Sequence, residues 1–402
     1  MKILVADDEI VSRRLVQRLL QGWGHEVTVA ADGAEAWKYY DKEHFPLVIS
    51  DWMMPEMDGV ELVRRIRARE GYGYTYIILL TAKSAKEELT EGMDAGADDF
   101  ISKPFDATEL KSRLRAGERV LRLEQNLEQR NRELEQANQE VALANHRMKN
   151  DLEAAAKIQR NLLPKSFPDE PSFRFDFNYQ PCDELAGDIL NVFRLDDRNI
   201  AFYVLDVSGH GVPSALLSVT LHHALSPMMD QSNLLKRPIA EAPGYAIVPP
   251  PEVAATLNRQ YPMEERGGLY FTLLYGIVNA DTRQVRYVQA GHPSPILVPP
   301  QGDARILPGS GFPIGLFDEA TYEEKALTLE PGERLYLYSD GLYEIMNSQN
   351  EQFEQWRVAQ AFGEKRSAPL AEGFSYVVNQ ANEWGGGRLI DDISLLALEV
   401  RA

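Results

Sequence analysis

A long segment of the chain, from Glu118 to Leu163, contains neither glycine nor proline, and its apolar residues recur in steps of seven. The first series consists of Val120, Leu127, Leu134, Val141, Met148, Ala155 and Leu162. A second series contains two charged residues that weaken it, and it consists of Leu123, Arg130, Ala137, Ala144, Asp151 and Ile158. A sustained heptad repeat is typical of a coiled coil, whose simplest partner is a second copy of the same chain. The alternative is an amphipathic helix that packs on the chain's own domains.

The region before this segment alternates short apolar runs with helical patterns, up to about Arg115. The expected strands are Ile3 to Ala6, Val27 to Ala30, Leu47 to Ser50, Tyr76 to Thr81 and Phe100 to Ser102. The expected helices are Val11 to Leu20, Ala34 to Tyr40, Val60 to Arg67 and Lys86 to Ala95. This alternation predicts an α/β domain with a doubly wound, five-stranded parallel sheet, whose ligands bind beyond the carboxyl ends of the strands.

The region after Pro164 is dominated by strand-like runs. They are Phe173 to Tyr179, Ile200 to Leu205, Tyr270 to Val278, Val285 to Gln289, Arg334 to Tyr338 and Ile393 to Leu398. Helical patterns interrupt them at Pro213 to Leu225 and at Pro251 to Tyr261, which favours an α+β layered domain. For a chain of 402 residues we therefore expect three parts, at residues 1–117, 118–163 and 164–402.

The charge balance excludes several classes of partner. The chain has 42 Lys and Arg residues against 61 Asp and Glu residues, and its formal net charge is −19. Such a charge repels phosphate backbones and anionic lipid, so we expect neither a nucleic acid nor a membrane as a partner. Cys182 is the single cysteine, which excludes an internal disulfide and fits a reducing compartment. With no apolar run of signal-peptide or membrane-span length, the expected location is the cytoplasm.

Several polar residues follow strands of the predicted parallel sheet. Asp7 and Asp8 follow the first strand and Asp51 follows the third, so their carboxylates are expected to meet at one edge of the sheet as a Mg²⁺ site. Thr81 ends the fourth strand and Lys103 follows the fifth. A hydroxyl, an ammonium and a metal ion around one carboxylate would neutralise the oxygens of a phosphoryl group attached to it.

These residues stand in motifs that resemble the receiver domain of two-component response regulators. The motifs are Asp7-Asp8-Glu9, Asp51-Trp52-Met53-Met54-Pro55-Glu56-Met57-Asp58-Gly59, Leu80-Thr81-Ala82-Lys83 and Ser102-Lys103-Pro104-Phe105. The resemblance implies that Asp51 accepts a phosphoryl group from a histidine kinase or a phosphotransfer protein. It also implies that Mg²⁺ is held by Asp7, Asp8, Asp51 and the carbonyl of Trp52, and that Thr81 and Lys103 contact the phosphoryl oxygens. Phe100 would be the switch aromatic, with ordinary core packing as the alternative, and Lys103-Pro104 a cis peptide.

A second set of acids lies in the C-terminal region: Asp188, Asp206, Asp340 and Asp391. Each taken alone has the alternative reading of an Asp-Gly turn between strands. Glycines beside these acids allow the backbone to approach a bound ion, and four carboxylates favour an oxygen-lined site for Mg²⁺ or Mn²⁺. Two such ions can together activate one water for in-line attack on phosphorus.

The C-terminal motifs resemble bacterial metal-dependent serine/threonine phosphatases of the PP2C (PPM) type, in the group of the RsbU and SpoIIE regulators. The motifs include Lys157-Ile158-Gln159-Arg160-Asn161-Leu162-Leu163-Pro164, Asp206 to Gly211, Ala290-Gly291-His292-Pro293, Pro313-Ile314-Gly315, Ser339-Asp340-Gly341 and Ile390-Asp391-Asp392. The resemblance implies a sandwich of two antiparallel sheets flanked by helices. It also implies two Mn²⁺ or Mg²⁺ ions held by Asp188, Asp206, Asp340, Asp391 and the carbonyl of Val207.

One position departs from the family pattern. The family commonly has a second acid three residues after the first, whereas this chain has Asn191 three residues after Asp188. From this difference we expect weaker metal binding or altered support of the metal site. His210 and His292 are expected to hold loops by hydrogen bonding rather than to act as a base.

Together these features predict a dimeric cytoplasmic response regulator with a metal-dependent protein serine/threonine phosphatase as its output. The resemblance implies a phosphorylated serine or threonine protein as substrate, specifically an anti-sigma-factor antagonist in a partner-switching pathway. The alternative is a noncatalytic interaction module that binds a regulatory partner without turnover. The direction of control by Asp51 phosphorylation is left open by the sequence.

Overall fold

A computed structural model describes residues 1–82, 86–227, 233–309, 311–387 and 391–401 of the chain, without the side chains of 86–89. Lys83 and Ile390, which belong to two of the sequence motifs, lie outside the described residues. The chain forms two compact units, Met1–Ala144 and Asn145–Ala402, and each is described by itself.

The first unit contains a parallel sheet. Its strands are β1 Lys2–Ala6, β2 Glu26–Ala30, β3 Leu47–Asp51, β4 Tyr76–Thr81 and β5 Asp99–Ser102. In the described part of the chain they pair in the order β2-β1-β3-β4-β5, and every pairing is parallel. All residues of β3 and β4 are buried, as expected for strands covered on both faces. The prediction of a doubly wound, five-stranded parallel sheet is confirmed.

Helices cover both faces of this sheet. They are α1 Ile10–Gly22, α2 Gly33–Lys42, α3 Gly59–Ala68 and α4 Lys86–Asp94. Asp32 and Asp58 cap α2 and α3, since each carboxylate accepts a backbone N–H from the first turn at 2.7 Å. One apolar cluster contains Leu4 and Val48, and another contains Ile3 and Ile49, so neighbouring residues of each strand enter opposite layers.

Helix α5 spans Ala107–Arg160 without a break. It starts before the expected boundary at Glu118, and its early residues Leu110, Leu114 and Leu121 are buried in the core of the first unit. Most of the later apolar residues are 55–67% exposed, namely Leu123, Leu127, Leu134, Val141, Leu143, Met148 and Ile158. Both heptad series therefore contribute to an exposed apolar stripe. Among the described residues, no helix combines the length and apolar character that a membrane crossing requires.

The second unit is built on two antiparallel sheets. Its strands are β6 Phe173–Gln180, β7 Ile189–Arg194, β8 Asn199–Val207, β9 Lys236–Pro238, β10 Tyr245–Ile247, β11 Phe271–Asn279, β12 Gln284–Ala290, β13 Ile296–Val298, β14 Arg305–Ile306, β15 Lys325–Thr328, β16 Arg334–Tyr338 and β17 Ile393–Val400. In the described residues the sheet orders are β15-β12-β11-β8-β7 and β14-β13-β16-β17-β6, with a separate pair β9-β10.

Helices flank the two sheets. They are α6 Val212–Ala224, α7 Pro250–Gln260, α8 Gln355–Glu364 and α9 Leu370–Gly385, with short 3-10 helices at Met263–Arg266 and Asp340–Leu342. One apolar cluster, which includes Phe202 and Leu396, lies between the sheets. Two further clusters lie under α6 and α7 and under α8 and α9. The predicted α+β sandwich, two antiparallel sheets flanked by helices, is confirmed.

Candidate functional site

Three carboxylates of the first unit meet at the carboxyl edge of its sheet. Asp7 follows β1 and Asp51 ends β3, and these two strands are direct neighbours. Ligand oxygens of Asp7, Asp8 and Asp51 lie within 4.8 Å of one another. Asp7 is fully buried and Asp51 is 8% exposed. The convergence expected from the strand ends is present, and its oxygen ligands are of the type that Mg²⁺ prefers.

A lysine ammonium balances part of this negative charge. The Lys103 ammonium donates hydrogen bonds to Asp51 Oδ2 at 2.6 Å and to Asp7 Oδ2 at 2.9 Å. Burial raises the pKa of Asp51, and the hydrogen bond from Lys103 opposes that rise. Burial alone would lower the pKa of Lys103, but its bonds to the two carboxylates raise it above its ordinary value. Lys103 is therefore held in the charged form.

A pocket of about 340 Å³ opens onto these groups, and its lining includes Asp8, Asp51, Trp52, Thr81 and Lys103. The Trp52 N–H donates to Asp51 Oδ1 at 2.8 Å, and the Trp52 carbonyl accepts the N–H of Gly59 at 2.9 Å. Phe100 lies half-buried on β5 and is not among the residues that line the pocket. The Lys103-Pro104 peptide is cis, as the resemblance implied.

The second acidic set comes from both sheets of the sandwich. Asp188 immediately precedes β7 and Asp206 lies on β8. Asp340 starts the 3-10 helix after β16, and Asp391 lies just before β17. Asp206, Asp340 and Asp391 line one pocket of about 440 Å³ together with Val207. Asp188 is 1% exposed and is not among the residues that line the pocket.

Burial and mutual repulsion dominate the electrostatics of these acids. Burial, with the charges of Asp206 and Asp392, raises the pKa of Asp188 well above its ordinary value. Burial, with repulsion from Asp340 and Asp391, raises the pKa of Asp206 to about 8. The pKa of Asp340 rises to about 6, chiefly through burial and then the charge of Asp391. The four acids form no ion pair with a lysine or arginine in the described part of the chain.

The acids fit divalent cations. Asp188 Oδ2 is buried and has no hydrogen-bond partner within bonding distance among the described residues, although a carboxylate oxygen in that position needs a donor or a positive charge. Oxygen ligands with excess negative charge are what Mg²⁺ and Mn²⁺ prefer. Bound cations would remove both the unpaired acceptor and the repulsion between the carboxylates.

Close backbone packing brings these acids together. A Cβ on Gly187 would lie 2.8 Å from the Val207 carbonyl oxygen, and one on Gly341 would lie 2.2 Å from the Asp392 carbonyl oxygen. Only glycine fits at such distances. Asp392 fixes the neighbouring segment, because its carboxylate accepts the N–H groups of Cys182 at 2.8 Å and Gly187 at 2.9 Å.

Asn191 lies on the other face of its strand from the acids. It pairs across the ladder with Tyr203, three residues along β8 from Asp206, or about 10 Å at strand spacing. Its neighbours at alternate positions, Ile189 and Phe193, belong to the cluster under α6 and α7. Its amide oxygen accepts the N–H of Val192 at 2.8 Å. Because Asn191 faces away from the acids, the structure gives no support to the expectation that it alters the metal site.

The two histidines differ in environment. His292 is buried, its Nδ1 lies 2.7 Å from the Thr272 hydroxyl, and burial lowers its pKa to about 3. It is thus a neutral residue that fixes the strand bearing Thr272, in line with the expected loop-holding role. His210 is exposed on the rim of the pocket, and its Nδ1 lies 3.7 Å from Asp183.

Sequence reasoning missed several residues of this region. Tyr270, Thr272, Tyr343 and Glu344 line the second pocket. The sulfur of Cys182 lies near carboxylate oxygens of Asp391 and Asp392. Burial and the charge of Asp392 raise the pKa of this thiol to about 12. No spacing in the sequence signals these contacts, because they join segments far apart in the chain.

Two family models match the chain. One, described as stage II sporulation protein E (SpoIIE), matches residues 196–401, and the other, described as response regulator receiver domain, matches residues 3–115. Phosphoserine phosphatase RsbP of Bacillus subtilis is 29% identical over 198 residues, which are 48% of this chain and 45% of that protein. The chain thus spans less than half the length of this relative.

Two further similarities concern the separate units. A chemotaxis protein CheY homolog of Campylobacter jejuni is 40% identical over 116 residues, which are 28% of this chain and 89% of that protein. The SiaA PP2C domain of Pseudomonas aeruginosa is a solved structure with 22% sequence identity and a TM-score of 0.53. The similarity covers 65% of this chain and 98% of that one, and it shows that the C-terminal unit has the PP2C fold.

Proposed function

Because the chain belongs to the SpoIIE family and carries a receiver domain at its N-terminus, we propose that it is a response regulator whose output is a protein phosphatase. The C-terminal domain would hydrolyse phosphoserine or phosphothreonine in a protein substrate. The receiver would set the rate of this hydrolysis through phosphorylation of Asp51. RsbP, named a phosphoserine phosphatase, supports the reaction class for the region that it shares with this chain.

One observation carries the phosphatase proposal, namely that Asp206, Asp340 and Asp391 line one pocket beside the buried Asp188 without an ion pair to a lysine or arginine in the described residues. Two Mg²⁺ or Mn²⁺ ions would be held by the carboxylates of Asp188, Asp206, Asp340 and Asp391 and by the carbonyl of Val207. Such ions supply the positive charge that activates a water molecule and neutralises a phosphoryl group. The glycines at 187 and 341 keep the acids close enough to share them.

The receiver site supports transfer of a phosphoryl group to Asp51. The phosphorus–nitrogen bond of a phosphohistidine, on a histidine kinase or a phosphotransfer protein, would break as a bond forms between phosphorus and a carboxylate oxygen of Asp51. Mg²⁺ on Asp7, Asp8, Asp51 and the Trp52 carbonyl would offset the added charge. Lys103 contacts Asp51 and Thr81 lines the same pocket, which supports the proposal that both would contact the phosphoryl oxygens. Phe100 stays a proposed switch residue.

Helix α5 is the proposed route of control and the proposed dimer contact. Its exposed apolar heptad stripe runs from Leu123 to Met148. Pairing with the same stripe of a second copy would remove these side chains from water. The chain would therefore act as a homodimer. A change in how two receivers pair would pass along the paired helices to the phosphatase.

The proposed substrate is an anti-sigma-factor antagonist protein phosphorylated on serine or threonine, and the proposed location is the cytoplasm. The net charge of −19 disfavours nucleic acid as a partner. The competing reading, a noncatalytic module that binds a regulatory partner, drew its sequence support from Asn191. That support is weakened by the position of Asn191 on the far face of β7.

The test is hydrolysis of a phosphoserine protein or an aryl phosphate in Mn²⁺ or Mg²⁺, with wild type and Asp340→Asn, each with and without a phosphoryl mimic on the receiver. We expect metal-dependent turnover that Asp340→Asn lowers by about 100-fold or more. The change with the mimic gives the direction of control. A folded wild-type protein that shows no turnover in any receiver state and binds no metal would favour the interaction module.

A further inference from the structure

Two exposed phenylalanines, Phe312 and Phe317, form a pair on the chain between β14 and β15. Phe312 is 55% exposed and Phe317 is 50% exposed. Their rings are in edge-to-face contact, with centroids 4.9 Å apart and planes at 74° to each other. A single exposed apolar side chain is ordinary on a folded domain. Two aromatic rings in contact with each other form a continuous apolar surface, of the kind that protein partners bind.

This phenylalanine pair adjoins the pocket that the acids of the sandwich line. Pro313, the residue after Phe312, lines that pocket together with Gly291. The two pack closely, since a Cβ on Gly291 would lie 2.6 Å from Cγ of the Pro313 ring. A phosphorylated side chain would enter the pocket from a polypeptide whose neighbouring residues advance by about 3.3 Å each. Those neighbours must pass over the rim of the pocket, where the phenylalanine pair lies.

Hydrogen bonds fix the backbone that carries the pair. The Ile314 N–H donates to the Phe271 carbonyl at 2.8 Å, and the Phe271 N–H donates to the Ile314 carbonyl at 3.1 Å. The Asn258 amide accepts the Gly315 N–H at 2.7 Å and donates to the Phe317 carbonyl at 2.9 Å. The rings are thus presented on a backbone that is already in place, so binding through them would cost little conformational entropy.

Charge gives a phosphoprotein little to bind at this pocket until cations are present. No lysine or arginine is among the described residues that line it. The net charge of −19 adds a long-range repulsion of a phosphoryl group. Contacts outside the phosphoryl group must therefore supply part of the affinity for a protein substrate. Burial of apolar surface can supply it, because it does not depend on charge.

We infer that the phenylalanine pair is a docking surface for a large apolar side chain of the phosphoprotein substrate, within about four residues of its phosphorylated serine or threonine. The inference rests on the proposed function and deepens it, since it takes the adjoining pocket as the place where the phosphoryl group is hydrolysed. The pair would select among phosphorylated sites by the residues that flank them, and the acids would carry out the same hydrolysis on each.

The experiment compares the full chain with the double variant Phe312→Ser/Phe317→Ser on short phosphoserine peptides in Mn²⁺. The reference peptide has only serine and glycine around the phosphoserine. In the others one leucine is placed in turn at the flanking positions, out to about four residues on either side. We expect wild type to hydrolyse at least one leucine peptide with a kcat/KM about 10-fold above that of the reference peptide, chiefly through a lower KM. The double variant should lose this preference. The ratio is taken within each protein, so a general loss of activity cancels.

Trp356 offers a matched control in the same domain. It is an aromatic residue of α8 that is 48% exposed and is not among the residues that line the pocket of the acids. Trp356→Ser removes a comparable exposed ring and should keep the leucine preference of wild type. If the double variant does not fold, Phe317→Ser alone replaces it, and it should lower the preference by about threefold because one ring remains.

The inference is overturned by a wild-type protein without a leucine preference, by an unchanged preference in the folded phenylalanine variant, or by an equal loss in Trp356→Ser. A variant that keeps the preference but changes the oligomeric state in sedimentation also overturns it, because the surface would then bind a second copy of the chain. A wild-type protein that hydrolyses no phosphate refutes the proposed function alone. Binding of the same peptides with a fluorescent label, followed by anisotropy, needs no turnover and still decides the role of the pair.

Discussion

The two acidic sites of this protein balance their charge in opposite ways. In the receiver, the ammonium of Lys103 lies within hydrogen-bonding distance of Asp7 and Asp51. At the sandwich site no such ammonium is present among the described residues, and burial with mutual repulsion raises the pKa values of Asp188, Asp206 and Asp340. A site with its own cationic side chain needs no bound cation to offset its charge. A site of acids alone depends on cations to be held together.

The largest expected effect separates the chemistry of the two sites. Asp51→Asn should reduce incorporation of a phosphoryl group from acetyl phosphate to background, because the amide nitrogen and oxygen cannot replace the carboxylate nucleophile. Incorporation is measured with labelled phosphate on the full chain in Mg²⁺. Asp340→Asn, which changes only the sandwich pocket, should be labelled like wild type. Equal labelling of the Asp51 variant would show that another residue accepts the phosphoryl group.

Removing the Lys103 ammonium should leave the receiver carboxylates without a cationic side chain, as the sandwich acids are among the described residues. Lys103→Met leaves two buried carboxylates unpaired, and we expect a loss of about 3 kcal/mol in the free energy of unfolding of the receiver. Mg²⁺ should restore more stability to this variant than to wild type, since the cation replaces the lost charge. Urea unfolding with and without Mg²⁺ measures both effects.

The control for that variant is Lys111→Met. The Lys111 ammonium lies 5.3 Å from the centre of the Trp23 ring and forms a cation–π contact rather than a buried ion pair. Its loss should cost about 1 kcal/mol or less, with no added response to Mg²⁺. If Lys103→Met and Lys111→Met lost the same free energy of unfolding and responded equally to Mg²⁺, the ammonium of Lys103 would not be what balances the receiver carboxylates.

Protonation of His292 in the unfolded state should make its own contribution to the stability of the C-terminal domain fall with pH. Its folded-state pKa is lowered from 6.5 to about 3, so the unfolded state binds the proton first as the pH falls below 6.5. Between pH 7 and pH 5 this group should remove about 2 kcal/mol of stability. The His292→Asn variant lacks this group, so its free energy of unfolding should fall by about 2 kcal/mol less than that of wild type between pH 7 and pH 5. Thermal or urea unfolding at the two pH values measures the difference. His210→Asn, at an exposed position, should behave like wild type.

The smallest expected effect concerns the departure from the family pattern. Asn191→Asp restores the second acid of the common motif, but on a strand face that packs under α6 and α7. We expect Mn²⁺ affinity to change by less than about twofold and stability to fall by about 1 kcal/mol, because a charge replaces a half-buried amide. Isothermal titration with Mn²⁺ measures the affinity. A tenfold gain would show that Asn191 does weaken the metal site.

The sequence predicts the receiver site better than the sandwich site for a physical reason. Parallel strands bring their carboxyl ends to one edge, so Asp7, Asp51 and Lys103 could be expected together from their positions alone. The acids of the sandwich come from two different sheets, and no local sequence pattern predicts how those sheets pack together. Their joint role was expected from the family resemblance, and the fully buried state of Asp188 could not be read from spacing.

Tertiary contacts also explain what the sequence did not indicate. Gly117 immediately precedes the glycine-free segment, and it lies inside α5, where a Cβ would come within 2.6 Å of the Tyr76 ring. The absence of a side chain at Gly117 allows α5 to pack closely against β4, and the helix continues through this residue. The hydrogen bond from the Gln159 amide to the Ala186 carbonyl likewise depends on how the end of α5 packs, which no periodicity reveals.

The unbroken course of α5 from Ala107 to Arg160 constrains how such a gene can change length. Each residue inserted or deleted within the helix turns everything after it by about 100°, which would carry the apolar stripe off its line. A change of seven residues restores the stripe almost fully, and one of three or four leaves a local defect. Recombination that exchanges receivers between such proteins should therefore succeed at heptad intervals and fail between them.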